Sequence, residues 1–107
     1  MKTFIAVLLA LSFSGAALAG GDAAVGKETF RKNCATCHGV NGDGNGPMAK
    51  ALNLKPADLS SKEIQALSDA DIEKVITQGK GKMKPVKDLT KVDIANLIAF
   101  IRSLAKK

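Results

Sequence analysis

Tryptophan and tyrosine are absent from this chain of 107 residues, cysteine occurs twice and histidine once. Each scarcity excludes something. Without Trp or Tyr there are few aromatic platforms on which nucleic-acid bases could stack, so the net charge of +6 is not read as a nucleic-acid footprint. A lone histidine cannot supply a pair of imidazole ligands. Two cysteines and one histidine fall short of the four ligands of a structural zinc site. Strand-like alternation is missing, which removes the βαβ context that a thioredoxin-like Cys-x-x-Cys pair requires. The Gly-Lys-Ser/Thr ending of a phosphate-binding loop is missing too. Asn41, Asp43 and Asn45 imitate the opening of a calcium-binding loop, but its twelfth position is Leu52 where a glutamate is needed.

What remains is concentrated. Both cysteines and the only histidine fall within Cys34-Ala35-Thr36-Cys37-His38. Cysteines three apart on a helical turn point to the same side, and a histidine directly after them completes the pattern of c-type haem attachment. The two sulfurs can add to the haem vinyl groups as thioethers, and His38 can then reach the iron from one face. A plain structural disulfide would leave the position of His38 unexplained.

The N-terminus reads as an export signal. Lys2 is the positive start, Phe4 to Leu11 is almost wholly apolar, and Ala17-Leu18-Ala19 supplies a small-residue cleavage pattern. The apolar run is short for a span of about 20 residues. The reading is therefore a signal peptide over 1–19 and one domain over 20–107, placed in the periplasm and not membrane-spanning after cleavage. A mature chain of this size is marginal, burying only about 60–70% of its unfolded surface. Haem is expected to form the centre of the core, with the haem-free chain largely unfolded.

The pattern along the mature chain is helical. A helix is expected from Ala23 into the haem motif, capped by Asp22, with Val25, Phe30 and Cys34 on its apolar side. Gly26 inside that helix costs about 1 kcal/mol relative to alanine, which points to a close backbone approach. Gly39 to Gly46 is a loop, Pro47 opens a short helix to about Leu52, and Pro56 keeps residue 55 extended. A helical turn is expected between Ser61 and Leu67. Ser68 and Asp71 open the next helix, with Ala70, Ile72, Val75 and Ile76 as its apolar face and Gly79 as its stop. Residues 80–85 form a loop. Thr90 and Asp93 open the last helix, which runs to about Leu104. Its apolar stripe is Ile94, Leu97, Ile98, Ile101 and Leu104, with Phe100 on the flank.

A second axial ligand must be a methionine, a lysine, water or nothing. Met83 stands in a loop between Gly81 and Pro85, where a side chain can be presented to a metal. Met48 follows Pro47 on a short helix, where methionine usually fills core space. Met83 is the favoured ligand. His38 needs an acceptor for its other ring N–H, and the Gly46-Pro47 segment is near enough in sequence to return a carbonyl.

Cys34-Ala35-Thr36-Cys37-His38, Gly46-Pro47 and Met83 with Pro85, set between terminal helices, resemble a class I c-type cytochrome over nearly the whole mature chain. The stretch from Gly39 to Pro47, with Lys55-Pro56-Ala57-Asp58-Leu59, is similar to small bacterial members. The resemblance implies an all-α cytochrome c fold, three to five helices wrapped around one covalently bound haem c. It implies thioethers at Cys34 and Cys37, axial His38 and Met83, and His38 held by the Pro47 carbonyl. Gly26 and Phe30 would then cross Leu97 and Phe100. Two departures stand out. Lys84 separates Met83 from Pro85 where many members have Met-Pro, and the aromatic donors that hold haem propionates in several members are missing. Asn53, Lys50, Lys55 or backbone N–H groups would have to replace those donors.

An iron capped on both faces changes valence and does little else. The function read is a monomeric periplasmic one-electron carrier, not an enzyme. The exposed-looking lysines Lys80, Lys82, Lys84, Lys87 and Lys91 would steer it onto acidic redox partners. The alternatives are a haem sensor or peroxidase-like protein with a labile distal site, and a haem subunit of a larger respiratory complex.

Overall fold

The computed structural model describes residues 20–106; the proposed signal segment lies outside them. Six helices follow in order: α1 (Ala23–Asn33), α2 (Ala35–His38), α3 (Pro47–Ala51), α4 (Lys62–Gln65), α5 (Asp69–Gln78) and α6 (Lys91–Ser103). The number exceeds the expected three to five because α2 and α4 are single turns of four residues. Among the described residues the only extended pairing is an isolated bridge between Lys80 and Met83.

The frame is the crossing of α1 and α6. Both are started by side chains that satisfy orphan N–H groups. The Asp22 carboxylate accepts from Ala24 and Val25 at 2.9 and 3.2 Å. Thr90 and Asp93 form a reciprocal capping box, with bonds of 3.0 and 2.9 Å. At the crossing, a β-carbon on Gly26 would run into the backbone carbonyl of Asn96. Glycine is therefore required by close approach, as its place in the sequence suggests. Asn96 is buried, and its side-chain oxygen accepts from the Asp22 amide at 2.7 Å, so the start of α1 is tied to the middle of α6.

Below the crossing lies the apolar core. Phe30 stacks on Phe100 with ring centroids 5.0 Å apart and planes tilted by 51°. Phe30 and Leu97 are the largest fully buried side chains, each worth about 1.5–3 kcal/mol of burial. Ile94, Ile98 and Ile101 of α6, Ile72 and Ile76 of α5, Ala35 and Leu59 complete it. Phe100 thus belongs to the core itself and not to the flank of the helix. Val25, expected to face inward, is 48% exposed; it sits about 100° around the helix from Gly26, and the Gly26–Phe30 line is the one that meets α6. Ala70 is likewise exposed.

The stretch 39–60 is held differently. It contributes only Ala49 and Leu59 to the buried apolar set. It is fixed by backbone hydrogen bonds: Gly44 N–H to the His38 carbonyl at 2.7 Å, Gly46 N–H to Cys37 at 3.1 Å and Leu59 N–H to Gly42 at 2.8 Å. This quarter of the described chain is wrapped around the Cys-x-x-Cys-His turn without an apolar centre of its own.

Candidate haem-attachment site

The site begins where α1 ends. Cys34 donates its N–H to the Phe30 carbonyl at 2.8 Å, and its own carbonyl accepts from Cys37 and His38 at 3.2 and 2.9 Å. Cys34, Cys37 and His38 therefore occupy positions i, i+3 and i+4 of one helical turn, on one side of it. All three are half-buried, and the two cysteines are not joined to each other. Gly46 packs so closely that a β-carbon there would strike the Thr36 and Cys37 backbone, which fixes the turn from below.

Burial, with a smaller contribution from Cys37, pushes the Cys34 thiol up to about 11. A dithiol oxidoreductase needs the opposite shift, toward thiolate at neutral pH. Redox-disulfide chemistry is therefore a poor fit, in agreement with the missing βαβ context. Burial also lowers the pKa of His38, partly offset by a hydrogen bond to the Ala57 backbone, so the ring is neutral at pH 7. Neutral imidazole is the form that ligates a metal.

His38 Nδ1 lies 3.3 Å from the carbonyl oxygen of Ala57. The acceptor expected from the sequence was the Pro47 carbonyl; the structure puts Ala57 in that place. Pro47 is the first residue of α3, and a helical residue directs its carbonyl along the helix axis. Ala57 lies in the irregular stretch after Pro56, whose carbonyls are not committed to a helix. With Nδ1 engaged, Nε2 is the nitrogen left for a metal. Phe30 flanks the ring, with centroids 6.4 Å apart.

Met83 is half-buried and sits in a turn tighter than a simple loop. Lys80 N–H donates to the Met83 carbonyl at 3.0 Å and Met83 N–H returns a bond to Lys80 at 2.9 Å. Gly81, with φ of 57°, takes the first central position, as in a II′ hairpin turn. Val86 N–H to the Ile76 carbonyl at 2.8 Å ties the following segment to α5. Met48, expected as core filler, is instead 45% exposed, because α3 turns only Ala49 inward. Lys50, Asn53 and Lys55 are exposed in and just beyond α3. Two thiols on one turn and an imidazole whose second nitrogen is already anchored fit a haem.

A short all-helical domain built on a Cys-x-x-Cys-His turn is the architecture of a c-type cytochrome, and comparison with known proteins agrees. The family model described as cytochrome c oxidase, cbb3-type, subunit III matches residues 21–101. Cytochrome c-554(547) of Halothiobacillus neapolitanus is 31% identical over 90 residues, covering 78% of this chain and 98% of that protein. Among solved structures, the KustC0563 c-type cytochrome superposes with a TM-score of 0.64 at 30% identity, covering 76% of this chain and 98% of its own. A chain of the Kuenenia stuttgartiensis reducing HAO-like protein complex Kustc0457/Kustc0458 gives 0.63 at 26% identity over 76% of this chain; the match spans 41% of that longer chain.

The chain belongs to the cytochrome c family, in its cbb3-type subunit III-like branch. Membership implies one covalently bound haem c with its iron, and electron transfer is the chemistry of such proteins. None of the described helices is long and apolar enough to cross a membrane.

Proposed function

We propose that this protein is a periplasmic one-electron carrier whose haem is joined to Cys34 and Cys37 and ligated by His38 and Met83. The observation that carries the reading is the anchored imidazole: His38 Nδ1 is engaged by the Ala57 carbonyl, which leaves Nε2 as the coordinating atom. Bound there, haem supplies reversible one-electron chemistry between Fe(III) and Fe(II). The chain's own residues keep the environment constant between the two states. Cys34 and Cys37 fix the group covalently. The Gly46 contact and the Ala57 carbonyl hold the imidazole in one orientation. The closed turn at Lys80–Met83 would present the thioether, a ligand that raises the potential of a haem iron. Phe30 and the α6 core keep water from that side.

Lys80, Lys82, Lys84, Lys87 and Lys91 are exposed around the Met83 turn. A positive rim of this kind draws in acidic partner surfaces and loses its pull as salt screens it. Two measurements test the proposal. Intact mass of protein matured in a competent host must show the added haem. Charge reversal at Lys82 and Lys84 must slow partner association at low salt; an unchanged on-rate removes the docking role.

A second reading, a haem subunit of a larger redox assembly, is supported by two similarities. The matching family is described as an oxidase subunit, and one relative is part of a complex. Co-purification from native membranes separates a subunit from a free shuttle.

A further inference from the structure

Ala57 presents the carbonyl that orients His38, yet its methyl side chain is exposed and fixes nothing. The direction of that carbonyl must be set by the residues around it. Pro56 restricts the chain on one side. On the other, Asp58 accepts from the Ser60 amide at 2.9 Å and the Ser60 hydroxyl at 2.6 Å, and Leu59 N–H donates to Gly42 at 2.8 Å. The remaining tie comes from a residue far from the haem motif in sequence. Gln65 Nε2 donates to the Leu59 carbonyl at 2.9 Å and to the Ile101 carbonyl at 2.8 Å. Both neighbours are carbonyl oxygens, so only the NH2 end of the amide fits there, and both of its hydrogens are used.

Gln65 is itself held. Arg102 Nη1 donates to the Gln65 backbone carbonyl at 2.9 Å, and Nη2 donates to the Leu67 carbonyl and to Asp69 Oδ1, each at 2.7 Å. A continuous line of hydrogen bonds and short backbone thus runs from the last turn of α6 through Gln65 and Leu59 to Ala57 and the His38 ring.

We infer that Gln65 is a positioning residue for the axial histidine. It locks the 57–59 segment to α6 and so sets how strongly the Ala57 carbonyl accepts from Nδ1. This deepens the proposed ligation by His38 and rests on it. A histidine whose second nitrogen donates to a good acceptor is a more basic ligand; loosening that bond makes the imidazole a weaker donor and favours Fe(II).

The test is Gln65→Met in the holoprotein, a change that roughly keeps volume and removes both donors. The His38 Nδ1–H should exchange with solvent about fivefold faster, as loss of roughly one net hydrogen bond implies, and the reduction potential should shift upward. Ile72→Val, a destabilising core change at a residue that makes none of these hydrogen bonds, should lower the melting temperature and move neither quantity. Should Gln65→Met fail to mature with haem, Arg102→Lys loosens the same segment by losing the fork onto Gln65 and Leu67, and is read in the same two ways. If the haem is bound, His38 ligates it, and exchange and potential match the wild type, the inference is overturned while the ligation stands. If the wild-type protein shows no imidazole ligation from His38, the ligation reading itself falls.

Discussion

Gly26 of α1 and Asn96 of α6 meet backbone to backbone, with no room for a β-carbon between them. The contact sets how closely the two terminal helices cross, and Phe30 and Phe100 stack next to it at 5.0 Å. Gly26→Ala gains helix propensity of about 1 kcal/mol, but the added carbon meets backbone that cannot swing aside as a side chain would. The clash outweighs the gain, for a net loss of about 1–3 kcal/mol. Denaturant melts of the holoprotein check it; an unchanged or higher midpoint contradicts the crossing.

The two methionines of the described chain separate cleanly by exposure. Met83→Ala should abolish the far-red sulfur-to-iron absorption band of the oxidised protein and lower its reduction potential, since thioether ligation raises it. Met48→Ala, at a side chain 45% exposed, should leave band and potential intact and change stability by no more than about 0.5 kcal/mol. Reversal of these two outcomes would exchange the roles.

Asp58 contributes to the acid limb of stability. Its carboxyl is held below the usual carboxylate range chiefly by the Ser60 hydroxyl, then by the Ser60 amide, with a smaller pull from Lys106. The native state thus binds this proton less readily than the unfolded chain. The contribution is fully present above the unfolded value of about 4 and is lost as pH falls through the lower native value. Melting temperature followed downward from pH 5 should drop less steeply in Asp58→Asn than in the wild type.

Haem removal should do more than loosen the site. Residues 39–60 contribute only Ala49 and Leu59 to the buried apolar set, so most of the burial in that stretch must come from the porphyrin. Protein made without haem attachment should lack a cooperative thermal transition by circular dichroism. A sharp, native-like melt of that form would show that α1, α5 and α6 suffice.

Much of the frame is legible in the sequence because the signals are local. Asp22, Ser68 and Thr90 each cap the helix their spacing announces, and Gly79 ends α5. The five-residue haem motif needs no long-range information, since a single turn brings its three reactive side chains together. Faces are less legible than elements. Val25 and Phe100 both lie at the margin of an apolar stripe, and only the angle at which α1 meets α6 decides which of them is covered.

The chemistry is written locally: two sulfurs and one imidazole fall on one turn, and the proposed second ligand, Met83, stands between a glycine and a proline. How that chemistry is held depends on the closed chain. The carbonyl facing His38 belongs to Ala57, not Pro47, and behind it stand Gln65 and Arg102. A backbone acceptor carries no side-chain signature, and bonds across 19 residues, or across the 36 between Gln65 and Ile101, exist only once the chain has closed on itself.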